Sequence, residues 1–172
     1  KLESEKLWSG LLLQKIKSET ELSEITKGIL REFTDTYYSF CVLLIHSHLF
    51  PNDVIKKQID SWRSVLPCNV HFLYSMKENE STICEIIAFS KTEFSDVESD
   101  KKALSHILQQ YNTHFKNSII VIPGILVSSV FEIYTSYKSA HETLAIHFSH
   151  ISDIHLSVKG IELDRHTNQW GK

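Results

Sequence analysis

Apolar positions recur along this chain with two periods. Leu7, Trp8, Leu11, Leu12 and Ile16 fall at helical spacing, and Leu22, Ile25, Ile29 and Phe33 repeat it. These runs predict two helices forming a lead over residues 1–34. Tyr37–Ile45 is nearly all apolar or aromatic and too short for a buried helix, which predicts a central strand covered on both faces. A helix should open at Asn52 as its cap, carry Ile55, Ile59, Trp62 and Leu66 on one face, and end at Pro67. Val70–Tyr74 and Thr82–Phe89 predict two strands, and the polar run Lys77–Ser81 between them predicts a hairpin. Ser99, or Ser95 with Glu98 as a capping box, starts a helix whose stripe is Leu104, Ile107, Leu108, Tyr111 and Phe115. Ile119–Ile122 reads as a short buried strand. Ser129 and Glu132 form a second capping box before a helix over about 130–148, packed through Ile133, Tyr137, Ala140 and Leu144. A last, weak strand is expected over Ile154–Val158.

The middle of this order is β-α-β-β-α-β, a split βαβ or ferredoxin-like arrangement. The fold class is therefore α/β in the α+β sense, a mostly antiparallel sheet with packed helices and an N-terminal helical lead. Residues 1–34 form the lead, 35–160 the domain, and 161–172 a polar linker or tail. Leu7, Trp8, Leu11 and Leu12, together with Leu13, make the first helix more apolar than one docking face requires. Two readings follow: plain packing against the domain, or a dimer contact.

Bulk properties narrow the function classes. The chain has 172 residues, enough for one domain with a proper core. A net charge of -3 and a pI near 6.4 argue against nucleic-acid binding by this segment, which needs clustered Lys and Arg. No apolar run reaches the roughly 18 residues that span a bilayer, so no membrane contact is expected. Cys41, Cys68 and Cys84 lack Cys-x-x-Cys spacing, which suggests reduced thiols and a cytoplasmic setting. The chain begins at Lys1 without an initiator Met and reads as an excised piece.

Candidate chemistry is sparse. His46-x-His48 is the best metal candidate, since residues two apart on a strand project to one side. Two ligands are too few for a tight site, and polar residues at a strand end explain the pair equally well. His150-Ile151-Ser152-Asp153-Ile154-His155 resembles the Asp-x-His opening of calcineurin-like metallophosphoesterases, where the two residues bind one of two metals at a strand end. That chemistry needs a second carboxylate, an Asn-His pair and further histidines downstream, and the only histidine after His155 is His166. No phosphate loop, nucleophile elbow or Gly-rich cradle is present. No catalytic residue, cofactor or metal is assigned.

The order of elements, with Ile120–Gly124, Ser128 or Ser129, Ser136-Tyr137, Ala140 and Leu144, resembles the GGDEF-like domain family. It is most similar to the degenerate version inside bacterial AraC-type transcription regulators. Active members of that family are diguanylate cyclases. They carry a metal-binding carboxylate at the end of the first strand and a Gly-Gly-Asp/Glu-Glu-Phe hairpin. Here the first strand ends Ile45-His46-Ser47-His48, and the hairpin reads Met76-Lys77-Glu78-Asn79-Glu80-Ser81 with no glycine. Glu78 and Glu80 read as solvated turn charges. The resemblance therefore implies a non-catalytic signal-relay and dimerisation domain. Its implied setting is a homodimer with an upstream sensor or receiver module and a C-terminal DNA-binding domain beyond this chain. The alternative is a small-molecule effector sensor that uses the vestigial nucleotide cleft between His46–Phe50 and the 76–81 hairpin.

Overall fold

The computed structural model describes residues 2–47, 52–63, 69–90, 97–115 and 118–166, with the backbone alone at 2, 32–38, 52, 58, 61–62, 97 and 150–166. The elements are α1 (Leu2–Leu12), α2 (Glu24–Thr36), β1 (Tyr37–His46), α3 (Asn52–Trp62), β2 (Val70–Lys77), β3 (Thr82–Ser90), α4 (Val97–Phe115), β4 (Ile120–Pro123) and α5 (Ile133–His166). The strands form one sheet in the order β2-β3-β1-β4. Every pairing is antiparallel. With α3 between β1 and β2 and α4 between β3 and β4, this is the split βαβ arrangement, and the fold is α+β as expected. Among the described residues no helix is long and apolar enough to cross a membrane.

Strand alternation divides the core into two halves. Phe40, Val42 and Leu44 of β1 share a face with Cys84, Ile86 and Ala88 of β3. That face is covered by α1, α2 and α5, through Leu7, Trp8, Leu11, Leu12, Leu30, Ile133, Ala140 and Leu144. Cys41, Leu43 and Ile45, with Ile83, Ile87 and Phe89, face the other way onto α3 and α4, where Ile55, Ile59, Leu104, Ile107 and Tyr111 close the second half. Residues 40–47 are buried without a break. A strand apolar on both sides fits the central position of β1 between two helical layers.

Several sequence expectations change here. Leu7, Trp8, Leu11 and Leu12 are each no more than 1% exposed within their own chain, so they are core residues and present no surface to a second copy. Of that run only Leu13 is partly open, at 40%. The lead is thus continuous with the domain core. Its first helix closes where Gln14 takes a left-handed φ of 59° and the Lys15 and Ile16 N–H groups both donate to the Gly10 carbonyl, at 2.8 and 3.0 Å. Ile25 is exposed, whereas Thr26 is turned inward, its hydroxyl donating to the Ser23 carbonyl at 2.9 Å. The strand expected over 154–158 is absent, because α5 continues as one helix to His166 and takes in the first residues of the expected 161–172 tail. Ser99 lies inside the first turn of α4 and is not its cap. Phe33 and Trp62 have no described side chain, and Ser95, Leu66, Pro67 and Cys68 lie outside the described residues.

Candidate functional site

The last strand meets α5 through a set of small residues. The β1–β4 ladder stops at Leu43 opposite Pro123. Beyond that point the Val42 N–H donates to the Ser136 hydroxyl at 2.9 Å, and the Gly124 N–H donates to the Val42 carbonyl at 2.8 Å. The Ile125 N–H donates to the Ser139 hydroxyl at 2.9 Å, and that hydroxyl donates on to the Ser136 carbonyl at the same distance. A methyl group on Gly124 would overlap the Ser136 carbonyl oxygen, so only glycine permits this approach. Ser129 caps the start of the helix by accepting from the Phe131 N–H at 3.2 Å. The Ser-Tyr-x-Ser-Ala segment is therefore a docking device that satisfies backbone groups where the sheet ends.

One turn along α5, Tyr137 and His141 reach the β2–β3 hairpin. Glu78, 9% exposed, accepts a short hydrogen bond from the Tyr137 hydroxyl and another from His141 Nε2 at 2.8 Å. It is not the solvated turn charge its hairpin position suggests. Glu80 does match that description: it is almost fully exposed and lies 3.6 Å from Lys77. Burial, together with the bond to Glu78 and its negative charge, pushes the Tyr137 phenol well up, so it stays a donor. In place of glycine the hairpin uses Asn79, whose side-chain oxygen accepts from the Ser81 N–H at 2.8 Å. The sequence signal for this cluster is the Tyr137/His141 spacing, four residues apart on one helix face.

His46 sits at the end of β1, where the resemblance would place a metal-binding carboxylate. It is buried, with Nδ1 2.9 Å from the Thr82 hydroxyl and its ring edge-on to Phe148 at 4.7 Å. His48 and Phe50 lie outside the described residues. On the α5 side, Phe148 packs on His46, and His141 and Tyr137 bond to Glu78 of the hairpin. Among the described residues no group of three His, Cys, Asp or Glu side chains could hold a metal ion. The Asp153-x-His155 pair lies on helical backbone and not at a strand end. Positions two apart on a helix turn roughly 200° about its axis, so the strand geometry of the phosphoesterase motif is not reproduced. Burial raises the Cys41 thiol to about 12 and that of Cys84 well above the usual thiol range, so neither offers a thiolate at neutral pH.

The other face of the sheet holds a buried charge that the sequence reading passed over. Glu85, in the middle of β3, is fully buried opposite Leu43 on one side and Ser75 on the other. It is ion-paired with Arg63 just past α3. The same guanidinium lies 2.9 Å from Asp60 and 4.3 Å from the centre of the Phe72 ring. The second Glu85 oxygen, Arg63 Nε and Ser75 Oγ are buried without a hydrogen-bond partner among the described residues. Burial raises the Glu85 carboxyl from 4.5 to about 7; Arg63 pulls it down and Asp60 pushes it further up. The signal in the sequence was one carboxylate inside the otherwise apolar Ile83–Phe89 run.

A groove of about 360 Å³ opens beside this pair, at the free edge of β2. Glu5 and Trp8 of α1 form one wall, Lys56, Asp60 and Arg63 the other, and Tyr74 and Ser75 the strand between them. No protein-family model, curated protein or solved structure matches the chain.

Proposed function

We propose that this chain is a non-catalytic relay domain, the central module of a bacterial AraC-type transcription regulator. In that setting it is cytoplasmic and homodimeric, receives its signal from an upstream sensor or receiver module, and passes it to a DNA-binding domain beyond its C-terminus. The observation that carries the reading is the shared core of α1 and α5. Leu7, Trp8, Leu11 and Leu12 pack in the same cluster as Ile133, Ala140 and Leu144. Close-packed interiors transmit displacement because they cannot absorb it in voids. A shift of the N-terminal helix is therefore felt by the long helix that leads towards the C-terminus. Dimerisation belongs to the proposal, but its surface is not the four buried side chains of α1.

The chemistry of the hairpin supports relay over cyclase activity. Glu78, the nearly buried carboxylate at the turn of the hairpin, is committed to Tyr137 and His141. Incubation with GTP and Mg²⁺ should accordingly give no cyclic dinucleotide.

Amide hydrogen exchange tests the coupling. Trp8→Phe and Ile59→Val each remove a small part of the core, on opposite faces of the sheet. Trp8→Phe should speed exchange in residues 133–148 more than in α4, and Ile59→Val should do the reverse. Equal acceleration in both helices, or no change in α5 with Trp8→Phe, counts against relay. A cyclic dinucleotide product would end the reading outright.

A further inference from the structure

The groove at the β2 edge is walled by the helix to which the relay reading assigns the input. Its chemistry is mixed. Lys56 and Glu5 are exposed on opposite walls, one on α3 and one on α1. Arg63 is already engaged by Glu85 and Asp60, which leaves Lys56 as the cation available to a ligand among the described residues of the lining. Glu5 stands close enough to Tyr74 that its charge, after burial, raises the Tyr74 phenol. Leu73, half-buried, adds apolar surface. The strand itself is an edge, and edge strands present backbone donors and acceptors along their open side.

Size and charge together limit the ligand. About 360 Å³ is at the small end of ligand pockets, which run from roughly 300 to 1,000 Å³. A nucleotide would also bring phosphates against Glu5 and Asp60, with Glu85 behind them. A single anion meets those same carboxylates, and a single cation meets Lys56. A small molecule carrying both an ammonium and a carboxylate offers each wall a group of opposite charge. We infer that the groove between α1, α3 and the β2 edge binds a small amino-acid-type zwitterion, its carboxylate on Lys56 and its ammonium on Glu5. Such a ligand ties α1 to α3, and so supplies the relay with an input. This inference extends the relay reading, and the two can fail separately.

Thermal unfolding of the whole chain tests it. The probes are glycine, L-leucine, L-glutamine and glycylglycine, with acetate and ethylammonium as single-charge controls. At least one zwitterion should raise Tm saturably, by about 2–4 °C or more, because a ligand that binds only the native state stabilises it. A response to free amino acids and not to glycylglycine assigns the groove to amino acids; the converse assigns it to peptides. Lys56→Gln and Glu5→Gln change exposed side chains and should leave the fold intact by circular dichroism. Each should weaken the apparent affinity about tenfold, the loss of one charge-assisted contact. The inference is overturned if no zwitterion moves Tm, if acetate or ethylammonium acts as strongly, or if both variants bind as the parent does. None of these outcomes touches the exchange test of relay, which uses no ligand.

Discussion

Gly124 is where a single atom decides whether two elements can meet. Its φ is not left-handed, so the need for glycine comes from the neighbouring helix and not from the turn. A Cβ there would overlap the Ser136 carbonyl and crowd its hydroxyl. Neither can retreat cheaply, because Ser136 is buried and accepts from the Val42 N–H. Gly124→Ala should therefore destabilise by about 1–3 kcal/mol, the usual cost of overpacking, and lower Tm by several degrees. Ser136→Ala should cost a similar amount by a different route. It removes bulk but leaves a buried N–H unpaired, at about 1–3 kcal/mol. Urea titration of both variants checks the pair. A neutral Gly124→Ala would mean that the close approach of β4 to α5 is not as described. The sequence showed Pro123-Gly124 as a break and Ser136-Tyr137 as a motif, but nothing local said that the two meet. That contact joins residues twelve positions apart through the packing of the whole helix.

At the scale of elements, periodicity was a good guide where one face of a segment meets the core. β1, the start of α3, α4 and the hairpin strands stand within a few residues of where the pattern put them, since their apolar spacing follows directly from burial. Besides Ile25, which is exposed, the sequence misled in two places. Ile154 and Val158 are β-branched, and that local preference suggested a strand. The wider spacing 151, 154, 158, 161 is helical, and the backbone of α5 follows it. Glu78 was misread because a polar hairpin looks solvated until a helix from elsewhere lies over it. The clamp between hairpin and α5 gives this misreading a consequence. Tyr137→Phe removes one of the two donors to a nearly buried carboxylate, which should cost about 1–3 kcal/mol. In a double-mutant cycle with Glu78→Ala the two losses should be strongly non-additive, since both break the same contact. Additive losses would show that the hydroxyl and the carboxylate do not interact.

The whole molecule is an antiparallel sheet between two helical layers, and its least expected feature is a carboxylate at the centre of one layer. Glu85 faces Arg63, Asp60 and Lys56 from the α3 side, Tyr111 from α4 and Ser75 from β2. Its proton is held more tightly in the folded chain, where the carboxyl lies at about 7, than in the unfolded one, near 4.5. Between those values the native state binds more protons than the unfolded state, so stability contributed by this group falls as pH rises. Below about 4.5 both states are protonated and there is no penalty. Above about 7 both are ionised, and the penalty is complete at about 3 kcal/mol, from roughly 1.4 kcal/mol per unit of pKa difference. Glu85→Gln keeps the size of the side chain, leaves Arg63 its contact with Asp60, and removes the titration. The stability of the variant relative to the parent should therefore climb between pH 4.5 and 7 and level off on either side. Taking the difference between the two curves cancels what the two chains share and leaves the contribution of Glu85. A flat difference would mean that Glu85 is ionised throughout, held so by Arg63 despite its burial. A climb would establish that this domain carries, on the helical layer opposite α1 and α5, a core whose stability depends on a proton near neutrality.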